Sequence, residues 1–336
     1  MVKPAVAVIG AGSWGTALAI QYARAGSEVR LWGRDRDQLV SMAGARCNER
    51  YLPEGPFPES LTALTDLGAA LDGIDEVLIS VPSHGLRSTL EQLKALRPDG
   101  LRVSWATKGL ELSTGKLPHE VVGEVLGHSA GPFAVLSGPT FAKELAKGLP
   151  TALTVGSSDP AFAGDIATRI SDSAFRAYTS DDIIGVEVGG AIKNIMAIGA
   201  GISDGLGFGA NARVALITRA LSEMTRFGIT RGARQETFMG LAGMGDLVLT
   251  CTDNQSRNRR MGLALAAGKT IQEAEEEIAQ VVEGVLAARA VREAAIDMSL
   301  EMPITEQIFA VLYEGVAPIE AFHTLMRRAP GAEFTN

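Results

Sequence analysis

Val6-Ala7-Val8-Ile9-Gly10-Ala11-Gly12-Ser13-Trp14-Gly15-Thr16-Ala17-Leu18-Ala19 is the stretch that decides the fold. A short apolar run reads as a buried strand, three glycines follow as G-x-G-x-x-G, and a helix-forming run closes it. That order suits a dinucleotide-binding fold. Gly10 permits the tight turn off the strand, Gly12 lets backbone approach a pyrophosphate, and Gly15 lets the helix pack closely on the strand. The pyrophosphate would sit over the unpaired N–H groups of the helix start, where the helix dipole favours an anion. A structural turn without a ligand is the competing reading, and the strand before and Ala-rich helix after argue against it. Gly205, Gly207 and Gly209 follow a helical pattern instead and read as a loop.

Outward from that stretch, Glu28–Trp32 reads as a second strand, followed by Gly33-Arg34-Asp35 where a dinucleotide fold usually carries an acidic residue for the ribose. Arg34 suits a 2′-phosphate, which favours NADP or acceptance of both cofactors; the alternative is an exposed loop arginine. Three prolines in Tyr51–Pro58 exclude helix and central strand. Further strands are expected near Leu61–Leu64, Glu76–Val81, Arg102–Ala106, Phe133–Leu136, Thr151–Val155 and Phe175–Tyr178, and a helix capped by Ser83 and running to about Leu96. Strands alternating with helices to about residue 180 give a doubly wound, mostly parallel sheet.

From Asp181 onward the periodicity is helical. Val186–Ile202 is apolar nearly all round, as in a helix buried on every side. Further helices are expected around Ala212–Phe227, Arg234–Leu241, Met261–Ala267, Ile271–Ile278, Gly284–Met298, Glu306–Val311 and Pro318–Met326, with the acidic run Glu273–Glu277 on a solvated face. The expected architecture is thus an α/β chain with an N-terminal Rossmann-type domain over 1–180 and an all-helical domain over 181–336.

At 336 residues the chain exceeds the usual single-domain size, and 46% hydrophobic with 21% charged residues describes a soluble globular protein. The net charge of −8 argues against general nucleic-acid binding, so an anionic ligand needs local cations. Cys47 and Cys251 lack metal-type spacing and suggest reduced, cytosolic thiols. The first strand begins within a few residues of the N-terminus, leaving no room for a signal peptide, and no apolar run reaches the roughly 20 residues of a membrane span. His84, His119, His128 and His323 are scattered without an H-x-x-x-H pair, and no metal site is expected.

Candidate chemistry gathers in four places. Lys108 follows the strand Arg102–Ala106, and ligands of open α/β sheets lie beyond the carboxyl ends of strands. Lys193 and Asn194 stand in the buried helix one turn after Gly189 and Gly190, so both should lie over bare backbone with space for a ligand. A Lys193–Glu187 ion pair is the structural alternative, although six residues along a helix separate them by roughly 240°. Asp246 follows three glycines, and the run Cys251–Arg260 clusters hydroxyl, amide and guanidinium groups just before a helix expected near Met261. That combination suits a phosphate monoester.

Together these runs resemble one family. Gly-Ala-Gly-Ser-Trp-Gly-Thr-Ala-Leu-Ala at the start, Ala-Thr-Lys-Gly-Leu-Glu at 106–111, Leu-Ser-Gly-Pro-Thr-Phe-Ala at 136–142, Gly-Val-Glu-Val-Gly-Gly-Ala-Ile-Lys-Asn at 185–194, Gly-Asp-Leu-Val-Leu-Thr-Cys at 245–251 and Ser-Arg-Asn-Arg-Arg at 256–260 are similar to the bacterial-type NAD(P)-dependent sn-glycerol-3-phosphate dehydrogenases. The likeness weakens only past about Arg328. It implies reversible hydride transfer that reduces dihydroxyacetone phosphate to sn-glycerol 3-phosphate for glycerophospholipid synthesis. It also implies Lys193 as proton acceptor and donor, Lys108 as its cationic neighbour, and Asp246 as the group orienting lysine and substrate. Ser256, Arg257 and Asn258 would take the phosphate, and Gly138 and Thr140 would complete the substrate contacts with Asn194 and Thr250 in support.

Beyond Gly10, Gly12 and Gly15, the resemblance assigns cofactor contacts to Ser13, Trp14, Arg34, Lys108, Ala142, Arg257, Val281 and Glu283. The selecting position varies in that family, so Arg34 leaves NADH against NADPH open. The family suggests a homodimer, and the unpaired cysteines suggest a cytoplasmic location. The readings that compete are a dehydrogenase of another small phosphorylated or hydroxy-acid substrate and a non-catalytic dinucleotide sensor. The phosphate-type cluster disfavours a hydroxy-acid substrate, and the complete set of lysines and arginine disfavours the sensor.

Overall fold

The protein was described as a computed structural model, which covers residues 3–127 and 131–327; His128 and the end of the chain, where the resemblance weakens, lie outside the described residues. Its strands are β1 (Lys3–Ile9), β2 (Ser27–Trp32), β3 (Cys47–Asn48), β4 (Leu52–Pro56), β5 (Leu61–Leu64), β6 (Glu76–Ile79), β7 (Arg102–Trp105), β8 (Phe133–Ser137), β9 (Thr151–Gly156) and β10 (Phe175–Ser180). Eight of them form one sheet in the order β10-β9-β8-β7-β6-β1-β2-β5. Every neighbouring pair is parallel except β8 and β9, which run antiparallel. The order reverses at β1, which pairs with β2 on one side and β6 on the other. Gly10 therefore leaves the sheet at its topological switch point, where open α/β sheets bind ligands.

The sequence of β1 shows why it sits in the middle. Val6 and Val8 enter one apolar cluster while Ala7 and Ile9 enter another, and all four are 0% exposed. A strand buried on both faces reads as a continuous apolar run instead of alternating. The first face is covered by α1 (Ser13–Arg24), α2 (Arg36–Ala45), α6 (Ala142–Ala146) and α7 (Pro160–Ile170); the second by α3 (Leu67–Leu71), α4 (Leu86–Leu96) and α5 (Pro118–Leu126). The proline-rich excursion holds β4, which pairs with β3 away from the main sheet. Ser83 does not cap α4: residues Ser83–Gly85 form a tight 3-10 turn, and Ser88 and Thr89 instead donate back to the Gly85 carbonyl.

The remaining chain is helical: α8 (Ile183–Gly205), α9 (Gly209–Thr230), α10 (Gln235–Phe238), α11 (Asp246–Thr252), α12 (Arg257–Ala266), α13 (Ile271–Ile278), α14 (Glu283–Asp297), α15 (Pro303–Tyr313) and α16 (Pro318–Met326). Asp182 caps α8 by accepting from Gly185 N at 2.9 Å. Residues 206–208 link α8 to α9, with Gly205 and Gly209 in the flanking turns of helix. The helix expected over Arg234–Leu241 stops at Phe238, because a wide turn over Leu241–Gly245 delivers the chain into α11, a helix the periodicity did not reveal.

The central helix α8 is long and apolar enough to cross a membrane, with a mean hydropathy of 1.4, although Glu187 and Lys193 interrupt its apolar run. It is 94% buried within the protein over that window, as befits a core helix. Ile192, Ile195, Met196 and Ile198 are 0% exposed, each stabilising the helical core by roughly 1.5–3 kcal/mol. Helix α12 crosses α8 at Gly201 and Gly262, where a Cβ on either would strike the opposite backbone. This close approach holds the start of α12 beside the second half of α8.

Candidate active site

Three elements bring their charges to one point beyond the carboxyl ends of β7 and β8. Lys108 comes from the turn after β7, held there by a 2.7 Å hydrogen bond from the Thr107 hydroxyl to the Val81 carbonyl. Lys193 comes from the middle of α8 and Asp246 from the first turn of α11. The Asp246 carboxylate, 1% exposed, accepts from Lys193 Nζ at 2.8 Å through Oδ1 and from Lys108 Nζ at 2.6 Å through Oδ2. Lys193 also donates to the Thr250 hydroxyl at 2.8 Å, and that hydroxyl donates to the Asp246 carbonyl at 2.6 Å. One carboxylate thus divides its two oxygens between two ammonium groups.

The electrostatics follow from that sharing. Burial pushes the Lys193 ammonium down to about 8; Asp246 opposes the shift and the charge of Lys108 adds to it. Burial alone would raise the Asp246 carboxyl, but the two lysines outweigh it and hold it below its usual range. A lysine near 8 can take or give a proton at neutral pH, which an ordinary lysine does poorly.

The structure corrects one local reading. The space over Gly189 and Gly190 is filled by protein: a Cβ on Gly189 would strike the Ala242 carbonyl, and one on Gly190 would stand 2.9 Å from Ser137 Oγ and 3.4 Å from Lys108 Cγ. These glycines let the Asp246 loop and the Lys108 stem close onto α8. Gly189→Ala is therefore expected to destabilise the fold by about 1–3 kcal/mol, measurable as a lower denaturant midpoint, with activity falling as Asp246 is pushed away. The Lys193–Glu187 pair does not form. Glu187 Oε1 instead accepts from Trp105 Nε1 at 3.0 Å and His119 N at 2.9 Å, while Oε2 meets His119 Nδ1 at 2.6 Å. Burial raises the Glu187 carboxyl, and Glu187 raises His119 against the opposing effect of burial. This tie joins β7, three residues before Lys108, to α8, six residues before Lys193.

The basic cluster divides as well. Helix α12 begins four residues earlier than its periodicity suggests, because the Ser256 hydroxyl accepts from Arg259 N at 3.2 Å and caps it. Arg257 and Asn258 therefore lie on its first turn. Arg257 donates to the Val281 carbonyl at 2.9 Å. The Asn258 amide bridges inward, donating to Asn194 Oδ1 at 2.8 Å and accepting from Gly284 N at 2.8 Å; Asn194 in turn donates to Glu283 at 3.3 Å. Arg259 is consumed internally, donating to Asn254 Oδ1 at 2.9 Å and to the Cys251 carbonyl at 3.1 Å and pairing with Asp204 at 2.5 Å. Gly138 and Thr140 lie in the turn after β8, where the Thr140 hydroxyl returns to the Gly138 carbonyl at 3.2 Å.

A cleft of about 400 Å³ opens at the switch point. Gly10, Gly12, Ser13, Trp14 and Gly15 line one wall and Arg34 the end of β2. Arg257, Val281 and Glu283 reach it from the helical half. Ala142 and Lys108 are not part of its lining; Ala142, like Trp14, packs against the apolar cluster on one face of the sheet, and Lys108 is drawn to Asp246.

The cleft fits a dinucleotide on three counts. A Cβ on Gly10, which has φ +125°, or on Gly15 would collide with backbone, whereas open space lies beyond Gly12. Helix α1 has no side-chain cap at its N-terminus, so its first N–H groups remain for an anion. The Trp14 indole nitrogen is buried without a protein partner. Gln38 and Asn48 brace the loop by donating to the Ala11 carbonyl at 2.9 and 3.1 Å, contacts 27 and 37 residues apart that no local sequence signal marks. Among the described residues, no group of three or more His, Cys, Asp or Glu gathers as a metal site.

Comparison with known proteins agrees with this geometry. A family model described as the NAD-dependent glycerol-3-phosphate dehydrogenase N-terminus matches residues 5–163, and one described as the C-terminus of the same family matches 182–323. The glycerol-3-phosphate dehydrogenase [NAD(P)+] of Idiomarina loihiensis is 55% identical over 98% of this chain and 98% of its own. That of Escherichia coli O1:K1 / APEC is 55% identical over 96% of this chain and 95% of its own. The crystal structure of glycerol-3-phosphate dehydrogenase from Coxiella burnetii is 48% identical, covers 98% of this chain and 100% of its own, and superposes with a TM-score of 0.94. With both halves matched and its relatives covered nearly end to end, this chain belongs to the NAD-dependent glycerol-3-phosphate dehydrogenase family.

Proposed function

We propose that Lys193 is the proton-transferring residue by which this NAD(P)-dependent oxidoreductase interconverts dihydroxyacetone phosphate and sn-glycerol 3-phosphate. The observation that carries the assignment is the buried Lys108–Asp246–Lys193 arrangement at the sheet's carboxyl edge. A dinucleotide held in the glycine-walled cleft would supply hydride chemistry at C2 in either direction. In reduction Lys193 Nζ gives its proton to the C2 oxygen, and in the reverse direction it removes the hydroxyl proton. Lys108 stabilises the negative charge that develops on that oxygen. Asp246 holds both ammonium groups and orients the substrate hydroxyl, with Thr250 and Asn194 keeping the supporting network in place.

The phosphate belongs to Ser256, Arg257 and Asn258 at the α12 N-terminus, where Arg257 is the cation lining the cleft and Asn258 orders the network behind it. Gly138 and Thr140 complete the substrate contacts. Gly10, Gly12, Ser13, Trp14, Gly15, Arg34, Val281 and Glu283 hold the dinucleotide, together with Arg257 and, from beside the cleft, Lys108 and Ala142. Residues 1–180 and 181–336 act as separate dinucleotide-binding and substrate domains meeting at this site. The net charge of −8 supports a small-molecule enzyme without nucleic-acid partners, and the burial of α8 supports one without membrane insertion. A cytoplasmic homodimer serving glycerophospholipid synthesis accords with the family.

The test is consumption of NADH or NADPH by the purified protein with dihydroxyacetone phosphate, read as loss of reduced-nicotinamide absorbance. Turnover is expected, and Arg257→Ala is expected to raise the KM for dihydroxyacetone phosphate about 10- to 100-fold, the range for losing a charged hydrogen-bond donor. Absence of turnover with either cofactor, despite measurable dinucleotide binding, would favour the sensor or hydroxy-acid readings instead.

A further inference from the structure

We propose that Arg50 is a second cofactor-selecting residue, acting with Arg34 on a 2′-phosphate, and that the chain consequently prefers NADP(H) to NAD(H). This rests on the reading of the glycine-walled cleft as the dinucleotide site. At the end of the cleft formed by β2, the lining includes Arg34 and Asp35 from the strand end and Arg50 and Tyr51 from the turn after β3. A cleft built for the unmodified ribose presents a carboxylate there, free to accept from both hydroxyls. Asp35 is the carboxylate at this end, and both its oxygens are engaged: Oδ1 accepts from Gln38 N at 3.0 Å and caps α2, while Oδ2 stands 3.4 Å from Arg50 Nη1.

The guanidinium groups are differently placed. Arg34 is exposed and makes no hydrogen bond or ion pair among the described residues. Arg50 is 62% exposed, stands over the Tyr51 ring at 5.0 Å from its centroid, and among the described residues has only the long contact to Asp35. Such a pair in water is weak and easily exchanged. A phosphate dianion carries more charge than the carboxylate and accepts two parallel N–H bonds from a guanidinium, so it outcompetes Asp35 for Arg50. Tyr51 limits the rotamers of Arg50 beforehand, which lowers the entropy lost on binding. The start of α2, directly after Asp35, adds a favourable dipole. Asp35 itself opposes an anion, but one carboxylate bound to a helix cap faces two guanidiniums.

The experiment is calorimetric titration of the full chain with 2′,5′-ADP and with 5′-ADP, for the wild type, Arg34→Ala and Arg50→Ala, alongside binding of NADPH and NADH. The wild type is expected to bind 2′,5′-ADP roughly 100-fold more tightly than 5′-ADP. Each substitution is expected to lower that ratio about ten-fold. A wild-type ratio near one would overturn the preference. A high ratio that Arg50→Ala leaves intact would overturn the role of Arg50. Failure of both dinucleotides and both nucleotides to bind would instead remove the cleft assignment beneath the proposal.

Discussion

Lys193→Met is expected to lower kcat about 10²- to 10⁴-fold, the range that a positioned proton donor contributes. Methionine keeps the length and apolar stem of a side chain that is 8% exposed, and Asp246 retains its pair with Lys108, so the fold should survive the change. The sign of the pH dependence provides the sharper test. With Lys193 near 8, reduction of the ketone needs the protonated lysine and should decline as pH rises through about 8. Oxidation needs the neutral lysine and should rise through the same range. Both limbs are expected to vanish in Lys193→Met. A Met variant that keeps the wild-type rate, or keeps the limb near 8, would show that another group moves the proton.

Asp246→Asn comes second in expected effect, through a different route. It removes the carboxylate bonded to both ammonium groups and leaves them facing each other across an amide. Breaking a buried ion pair by deleting one partner costs about 3–5 kcal/mol. Expressed in the transition state, even the lower part of that range is a loss of about 100- to 1,000-fold in kcat/KM. Because Asp246 supports the charged form of Lys193, its removal should push that lysine further below 8 and shift the alkaline limb of ketone reduction toward acid. Stopped-flow rates across pH, together with a denaturation midpoint, separate the two consequences. An unshifted limb in a folded Asp246→Asn protein would mean that the carboxylate does not set the lysine's proton affinity.

These two variants probe groups of unequal visibility in the sequence. Lys193 stands out locally, since a lysine in an otherwise apolar helix requires an explanation. Asp246 does not, because an aspartate after glycines is ordinarily a turn or cap residue. Its role depends on the wide turn over Leu241–Gly245, which rotates the start of α11 under α8. That turn in turn requires Gly189, whose missing side chain admits the Ala242 carbonyl. The resemblance could name Asp246 but gave no reason for the glycines on either side of it.

The basic cluster teaches a related lesson. The run Cys251–Arg260 reads in the sequence as one cluster of hydroxyl, amide and guanidinium groups, yet helix geometry sends its members in different directions. Arg257 reaches the cleft, Asn258 enters a buried amide network, and Arg259 turns to Asp204. Only the start of α12 at the Ser256 cap determines which is which. In the same way, Glu187 looked like a partner for Lys193, and the angle along the helix argued otherwise. Its actual partners, Trp105 and His119, lie 82 and 68 residues away, beyond any local reading.

The sequence by itself determined the parts governed by short-range physics. The glycine spacing after a doubly buried strand demanded a dinucleotide-type turn, the alternation of strands and helices demanded a parallel layered sheet, and the all-round apolar helix demanded a core position. What the tertiary structure alone decided is how charges from distant elements share partners. A carboxylate from α11 stands between lysines of α8 and the β7 turn, and the carboxylate of Asp35 is engaged by a helix cap and an arginine. Those choices depend on separations of a few ångströms between segments far apart in the chain, and electrostatic energies change steeply over that distance.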